Sequence, residues 1–268
     1  MKRSIKYIAI VALTALALEA AAWNKMGHET IAALAEQNLS PKAKAEVTKL
    51  LGGNLKSGAM WLNTLRKEEA TKHTASWHHT HLDAAGRSTT TTEGDAVVQI
   101  ERCANILRNA STHSRNEQVE ALKTIVHLVA DLHCIHHIRI EGEPLTDGFR
   151  FKYETGKKDK KSGEKIAVGI NWSTIWGGRM FGHHVGFTPE LMAEDMALCR
   201  AEHKEAWSQG TPREWAADMG VATRKQLEGM KPGIVITRKQ FNLLDAPHED
   251  CLAKAGWRLA ALLNNIYK

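Results

Sequence analysis

A long amphipathic helix constrains this chain more than any other feature of its sequence. Between residues 117 and 133 the apolar side chains form one continuous helical stripe: Leu122, Ile125, Val126, Val129 and Leu132. A stripe of this kind packs against a core and predicts a central helix. His127 and Asp131 stand four residues apart on it, so both side chains leave the same face one turn apart. The helix can thus present two ligands to one metal ion.

The residues directly beyond this helix favour a metal site over the alternative, a surface hydrogen bond between His127 and Asp131. The sequence continues as Leu132-His133-Cys134-Ile135-His136-His137, which adds three imidazoles and a thiol. The whole chain contains 14 histidines. Imidazole and carboxylate groups together suit zinc. We therefore expect a zinc site at the end of the central helix.

The remaining hydrophobic pattern predicts further helices and one small sheet. The predicted helices are one through Ile31 and Leu39, one from Ser40-Pro41 to Gly52-Gly53, a short one around Trp61–Leu65, one near Val97 and Ile100, and three over residues 190–204, 212–228 and 251–267. Strand-like alternation marks Phe149, Phe151 and Tyr153, and a returning strand is predicted over residues 165–170. The expected fold class is mainly α, a compact helical bundle with a small β-hairpin.

Residues 1–22 have the features of an export signal, and residues 23–268 are expected to form a single domain. Three basic residues precede an apolar run over residues 7–18, and Ala20-Ala21-Ala22 provides small residues for cleavage. The alternative is a membrane anchor, but the run is shorter than the roughly 20 residues that a span needs, and Glu19 interrupts it. We expect a periplasmic or secreted protein with Trp23 first and no stable membrane association after cleavage.

Charge and cysteine content leave partners and disulfides open. The net charge of +6 is compatible with a polyanionic substrate, although solubility explains such a charge equally well. The basic segment 157–161 at the predicted hairpin tip is either a phosphate contact or a solvated turn. In an oxidising compartment the four cysteines can form disulfides or remain as buried thiols: Cys103, Cys134, Cys199 and Cys251. No feature indicates an obligate protein partner.

The segment from His127 to His137 resembles the central motif of the zinc-dependent single-strand-specific nucleases, a family related to bacterial zinc phospholipase C. The resemblance implies that His127, Asp131 and His137 bind zinc. The family's mature chain begins with a Trp whose own amine and carbonyl bind metal, followed by Gly-His, and Trp23 and Gly27-His28 match both. A free α-amine, with a pKa of about 8, can lose its proton and become a ligand, whereas an amide cannot.

Other family motifs extend this resemblance over most of residues 23–268. One family motif is a short segment that ends at a metal ligand and is followed fifteen residues later by a ligand histidine. Ala59-Met60-Trp61-Leu62-Asn63 matches the segment, and His78 in Trp77-His78 stands at the position of the histidine. The segment that begins at Cys251 and ends at Asn264 resembles the closing helix, and Trp215-Ala216 resembles the helix before it. The resemblance therefore implies seven metal ligands: Trp23, His28, Asn63, His78, His127, Asp131 and His137. Asp131 and Asn63 are the expected catalytic residues.

Three positions depart from the family pattern and bear on the number of metal ions. Asn63 stands where the family has an Asp, while Ser173 and Gly177 replace a His and an Asp that hold one zinc ion together with the counterpart of His137. We therefore expect two zinc ions, or three if spare residues rebuild the damaged site: His133, Cys134, His136, His183 and His184.

The resemblance implies an exported zinc-dependent phosphodiesterase that cleaves single-stranded RNA or DNA as an endonuclease, with water activated by a zinc pair. Two alternatives remain open. One is phospholipase-type cleavage of a choline phosphoester by the same metal chemistry. The other, motivated by the three substituted positions, is a degenerate family member that binds metal or nucleic acid without efficient catalysis.

Overall fold

A computed structural model describes residues 23–91, 94–144, 150–228 and 233–268. Its α-helices are α1 (Lys25–Gln37), α2 (Pro41–Leu51), α3 (Trp61–Leu65), α4 (Ala96–Arg108), α5 (Arg115–Leu132), α6 (Trp172–Gly177), α7 (Pro189–Cys199), α8 (Lys204–Trp207), α9 (Pro212–Leu227), α10 (Arg238–Asn242) and α11 (Asp245–Ile266). The expected mainly α fold is confirmed. The predicted signal segment and Phe149 lie outside the described residues.

Helix α5 occupies the centre of the bundle, as its apolar stripe predicts. Ser114 begins it with a capping box, in which the hydroxyl accepts from the backbone N–H of Glu117 and the Glu117 carboxylate accepts in return. From Ala121 to Leu132 nearly every side chain is buried. Helix α5 packs against α4 and α11, while α1 packs against α7 and α11. One cluster of buried apolar side chains extends from Trp23 to Leu263.

Two small sheets flank the helices. The strands are β1 (Thr80–Leu82), β2 (Ser88–Thr89), β3 (Ile138–Ile140), β4 (Arg150–Lys158), β5 (Lys165–Asn171) and β6 (Val235–Ile236). The predicted hairpin is present as the antiparallel pair β4 and β5, with Phe151 opposite Ile170. Strand β6 adds to β4 in parallel. The sheet in the order β2-β1-β3 was not predicted, because strands of two or three residues are too short to show an alternation.

One sequence-based expectation differs from the structure, and the choice between disulfides and free thiols is decided. The helix expected over residues 190–204 ends at Cys199, and a separate short helix, α8, begins at Lys204. All four cysteines fall within the described ranges and are free thiols. Burial raises the pKa of the Cys103 thiol to about 11 and that of Cys251 to about 12, so both favour the protonated form.

No helix in the described part of the chain is long and apolar enough to span a bilayer.

Candidate metal centre

Four structural elements bring histidines around one buried carboxylate. Helix α5 contributes His127 and Asp131, and helix α1 contributes His28. His78 ends a 3-10 helix (Glu69–His78), and His137 ends another (Ile135–His137) that directly follows α5. All five side chains are almost completely buried. Residues separated by up to 109 positions in the sequence are thereby collected at one point in the core.

Asp131 lies at the centre of these contacts. Its Oδ2 is 2.6 Å from Nδ1 of His78 and 3.1 Å from Nε2 of His127. Its Oδ1 is 3.6 Å from Nε2 of His28 and 4.0 Å from Nε2 of His137. The rings of His28 and His127 are stacked with their centroids 4.3 Å apart. Ligand atoms of His28, His127 and Asp131 all lie within 4.8 Å of one another, a spacing that can hold a metal ion.

Hydrogen bonding from outside the cluster orients the central imidazole. Nδ1 of His127 lies 2.7 Å from the carbonyl oxygen of Ala59, which can only accept, so Nδ1 carries a proton and donates it. In a neutral ring, Nε2 then directs a lone pair toward an oxygen of Asp131 that also carries lone pairs. Two such acceptors facing each other in a buried site need a proton or a metal cation between them.

Several buried polar atoms of the cluster have no hydrogen-bond partner among the described residues. They are Nδ1 and Nε2 of His28, Nε2 of His78, Nε2 of His127, Oδ1 of Asp131 and Nε2 of His137. Leaving one such group unsatisfied costs about 1–3 kcal/mol, and proteins rarely tolerate several together. Metal coordination would satisfy these atoms, and imidazole with carboxylate is a donor set that zinc accepts. The residues present therefore fit a metal centre.

The electrostatic environment keeps the donors in their metal-binding forms. Burial lowers the pKa of His28 to about 3 and lowers the pKa of His78 and His137, which favours neutral imidazoles. Burial alone would raise the pKa of Asp131, but the neighbouring His127, His137 and His78 outweigh it and hold that pKa well below its usual range. Asp131 is therefore a carboxylate, and the surrounding imidazoles can share its charge with a bound cation.

Trp23 lies beside this cluster and is fully buried. Its indole Nε1 donates to the carbonyl oxygen of Ala130, the residue before Asp131, at 2.8 Å. The next residue, Asn24, donates its backbone N–H to the carbonyl oxygen of Gly177 at 2.8 Å. Trp23 and Asn24 are thus held between α5 and α6.

The three substituted positions have separate surroundings. Asn63 is half-buried in the middle of α3, and within the described chain no hydrogen bond or ion pair joins it to the cluster. Ser173 and Gly177 are buried in α6. Gly177 has no side chain and contributes only its carbonyl oxygen, to Asn24. These positions therefore add no charged donor to the five clustered side chains.

The spare residues considered from the sequence have mostly structural partners. Nδ1 of His133 lies 2.7 Å from the carbonyl oxygen of Val129, and its Nε2 lies 2.9 Å from Arg258. His183 contacts Asp245 at 2.5 Å, and His184 contacts Glu249 at 3.1 Å. Cys134 is completely buried, and burial raises its pKa well above the usual range. His136 is buried, and neither ring nitrogen has a hydrogen-bond partner within the described ranges.

Two histidines near the centre were not singled out from the sequence. Nδ1 of His79 lies 3.1 Å from Nδ1 of His137, so it contacts the side of the ring that faces away from Asp131. His248 packs edge-on against Trp23, with ring centroids 5.1 Å apart, and its Nε2 lies 2.9 Å from the carbonyl oxygen of Trp176. Neither stands in a motif, and only the position of His79 directly after His78 signals its location.

Comparison with known proteins places this chain in a family. Residues 23–268 match the family model of the S1/P1 nucleases. Nuclease S1 of Aspergillus oryzae is 23% identical over 288 residues, covering 95% of this chain and 95% of the relative. Nuclease P1 of Penicillium citrinum is 29% identical over 285 residues, covering 91% of this chain and 98% of the relative. Nuclease PA3 of a Penicillium species is 25% identical with the same coverage. The resemblance seen in the sequence is confirmed, and this chain belongs to the S1/P1 nuclease family.

Proposed function

We propose that this chain is an exported, zinc-dependent nuclease that hydrolyses phosphodiester bonds in single-stranded RNA or DNA. The observation that carries this proposal is the buried carboxylate of Asp131, which His28, His78, His127 and His137 surround with several atoms that lack hydrogen-bond partners among the described residues. A purely structural hydrogen-bond network would satisfy those atoms. Family membership supports nucleic acid as the substrate.

We assign the metal ligands from the cluster and its surroundings. His28, His78, His127 and Asp131 supply side-chain donors for a pair of ions, and His137 supplies a further imidazole. Trp23 would add its amine and carbonyl oxygen, since its ring is anchored to Ala130, the residue before Asp131. Asn63 would contribute its amide oxygen, which is neutral and therefore weaker than a carboxylate.

Zinc supplies Lewis-acid chemistry in such a site, because it lowers the pKa of water and offsets negative charge on phosphate oxygens. The chain's own residues provide the conditions for this chemistry. Asp131 remains ionised although buried, and its charge lies between the four histidines. The hydrogen bond from His127 to Ala59 fixes the tautomer and orientation of that ring. Burial keeps His28 neutral, so one of its ring nitrogens has a lone pair available at neutral pH.

Export explains how Trp23 acquires a free amine. While Ala22 is still attached, the Trp23 nitrogen is an amide and has no lone pair to offer a metal. Cleavage after Ala22 would release an amine beside Asp131. We therefore propose that removal of the signal segment completes the metal centre and delays its assembly until the protein has left the cytoplasm.

The proposal is tested by measuring zinc per chain and digestion of single-stranded and double-stranded polynucleotides by protein that begins at Trp23. We expect about two zinc ions and faster cleavage of the single strand. Asp131→Asn removes the central charge. We expect zinc affinity and the rate of cleavage each to fall by at least about 100-fold, and the zinc content per chain to fall with them. His203→Gln, at a half-exposed histidine outside the cluster, is the matched control. Zinc-loaded protein that cleaves no polynucleotide would refute the nuclease assignment. A choline phosphoester is tested in parallel, and its cleavage in the absence of polynucleotide cleavage would favour the phospholipase-type alternative.

A second candidate is a protein that binds metal or nucleic acid without efficient cleavage. The observation that favours it is the absence of a charged donor at Asn63, Ser173 and Gly177. The triple variant Asn63→Asp, Ser173→His and Gly177→Asp distinguishes the two. Strong activity that appears only in the triple variant favours the second candidate, whereas similar activity in both proteins supports a working nuclease with a reduced metal centre.

A further inference from the structure

The hairpin of β4 and β5, residues 150–171, carries all of the net positive charge of residues 23–268. Its seven basic and three acidic side chains give it a net charge of +4. The first 22 residues account for +2 of the whole chain's +6, so the rest of residues 23–268 is neutral in sum, with histidines counted as neutral. A charge that serves only solubility is spread over the surface, whereas such clustering is typical of a surface that contacts a polyanion.

The tip of the hairpin, residues 157–165, holds four exposed lysines that have no ion-pair partner among the described residues: Lys157, Lys158, Lys160 and Lys161. Nearby carboxylates have other partners. Glu154 pairs with Lys165, with 3.1 Å between Oε2 and Nζ. Asp159 accepts hydrogen bonds from the backbone N–H groups of Lys161 and Ser162, each at 2.8 Å. The four ammonium groups are therefore available to an anion from outside the chain.

The strand register brings like charges together on the hairpin. Lys158 lies directly opposite Lys165, and like charges at such positions repel each other. A Cβ atom at Gly156 would be 3.1 Å from Nη1 of Arg238, so α10 adds a further exposed cation beside the hairpin. Repulsion among these cations lowers the stability of the free protein, and a bound anion would relieve it.

Most of the hairpin lies outside the core. Strand β4 has nine residues, which corresponds to a length of about 30 Å at 3.3 Å per residue. Phe151 and Tyr153 anchor its first part in the core, whereas every residue from 156 to 169 is exposed. The side chains around Asp131 are buried, so the hairpin tip and the proposed metal centre are separate surfaces. A ligand that reaches both has to be a polymer.

The chemistry of the tip limits the class of ligand. Its basic residues are all lysines, which act as point charges and lack the planar fork with which arginine reads a base edge. The tip has no apolar side chain that could insert into a lipid surface. Contacts of this kind suit regularly spaced phosphates and are independent of base sequence.

We propose that the β4–β5 hairpin is a docking arm for the phosphate backbone of a long single-stranded polynucleotide. The arm raises the affinity for long strands without supplying any of the metal ligands. The inference rests on the proposed function only in taking nucleic acid as the ligand.

Fluorescence anisotropy of zinc-loaded protein with a labelled single strand of about 30 nucleotides tests the inference. Phosphorodithioate linkages keep the negative charge of this strand and are cleaved slowly. The hairpin variant carries Lys157→Gln, Lys158→Gln, Lys160→Gln and Lys161→Gln. It should bind about 10- to 100-fold more weakly at low salt. Its plot of log affinity against log salt concentration should be shallower by about 2 to 3, since each phosphate contact contributes about 0.7.

The matched control removes the same charge from exposed lysines on α2 and α8: Lys42→Gln, Lys44→Gln, Lys49→Gln and Lys204→Gln. It should keep the salt dependence of the wild type. Arginine at the four hairpin positions retains the charge and should retain the affinity. The melting temperature of the hairpin variant should be unchanged or higher, because the repulsion between Lys158 and Lys165 is removed.

Equal affinity and equal salt dependence in the hairpin variant and the control would overturn the inference. Wild-type protein that binds phosphatidylglycerol vesicles but not the strand would overturn it as well. Hairpin-dependent binding without cleavage of an unmodified strand would contradict only the proposed function. Cleavage of that strand, together with binding that does not depend on the hairpin lysines, would contradict only the docking arm.

Discussion

Gly27 shows how one residue determines the geometry next to the proposed metal centre. It lies in α1 directly before His28, where a Cβ atom would be 2.7 Å from Cβ of Trp23 and 2.8 Å from Cζ of Phe181. The first contact involves an atom bonded to the backbone, so rotation of a flexible side chain cannot relieve it. Only glycine lets α1 approach Trp23 this closely. The Gly-His pair is therefore a packing requirement as well as a family motif.

Gly27→Ala should displace Trp23 and thereby damage the metal centre. We expect fewer bound zinc ions and a loss of nuclease activity on the order of 100-fold, as expected for a misplacement of about 1 Å. Zinc analysis and initial rates measure the two effects. Gly53→Ala is the control, since a Cβ there meets nothing within 4 Å. Full zinc content in Gly27→Ala would show that the position of Trp23 is not critical.

At the scale of elements, the packing of α1 on α11 depends on a second close contact. Gly256 lies inside α11, and a Cβ on it would be 2.7 to 2.8 Å from three carbon atoms of Leu34 on α1. Leu34 is fully buried. The two helices therefore approach each other at a position without a side chain, and this contact fixes α1, which carries His28, against the closing helix.

Gly256→Ala tests whether packing or helix propensity dominates at this contact. Propensity alone predicts stabilisation of up to about 1 kcal/mol for an alanine inside a helix. The contact with Leu34 predicts the opposite, a loss of about 1–3 kcal/mol in the free energy of unfolding from overpacking. Urea denaturation measures the sign. Gly182→Ala, where a Cβ meets nothing within 4 Å, should be close to neutral. An increase in stability in Gly256→Ala would contradict the close packing of α1 on α11.

On the scale of the whole molecule, Trp23 links parts of the chain that are far apart in sequence. Its indole donates to Ala130 at the end of α5, and its ring packs against Trp176 of α6 and His248 of α11. The first residue of the proposed mature protein is thus held by three helices beside Asp131. Assembly of the proposed metal centre is therefore expected to require the packing of these three helices.

One extra residue before Trp23 should impair the metal centre without changing the fold. Protein with a single additional alanine at its N-terminus keeps the Trp23 side-chain contacts but converts the amine to an amide. We expect lower zinc content and at least about 10-fold lower activity than in protein that begins at Trp23. Circular dichroism should be the same for both proteins. Equal zinc content and activity would exclude the amine as a ligand.

Local periodicity was sufficient to predict the central helix and the hairpin. The stripe on α5 and the alternation at Phe151 and Tyr153 involve residues only a few positions apart. Within one helix or strand, the spacing between residues alone determines which face each side chain lies on. His127 and Asp131 were found for the same reason, since a spacing of four places them on one helix face. His28, His78 and Trp23 were proposed as ligands only through family motifs, because no local pattern indicates which distant residues converge.

Only the tertiary structure decided which of the remaining polar residues have structural partners. His133 contacts Arg258 across 125 positions, and His183 contacts Asp245 across 62, so neither has a local signal that separates it from a metal ligand. The free thiols and the strand pair β1 and β3 likewise arise from long-range packing. By itself, the sequence determined the helical class, the central His127 and Asp131 pair and, through its motifs, the family. Which other groups surround that pair depends on contacts between distant segments, because burial and hydrogen bonding are settled only when the whole core forms.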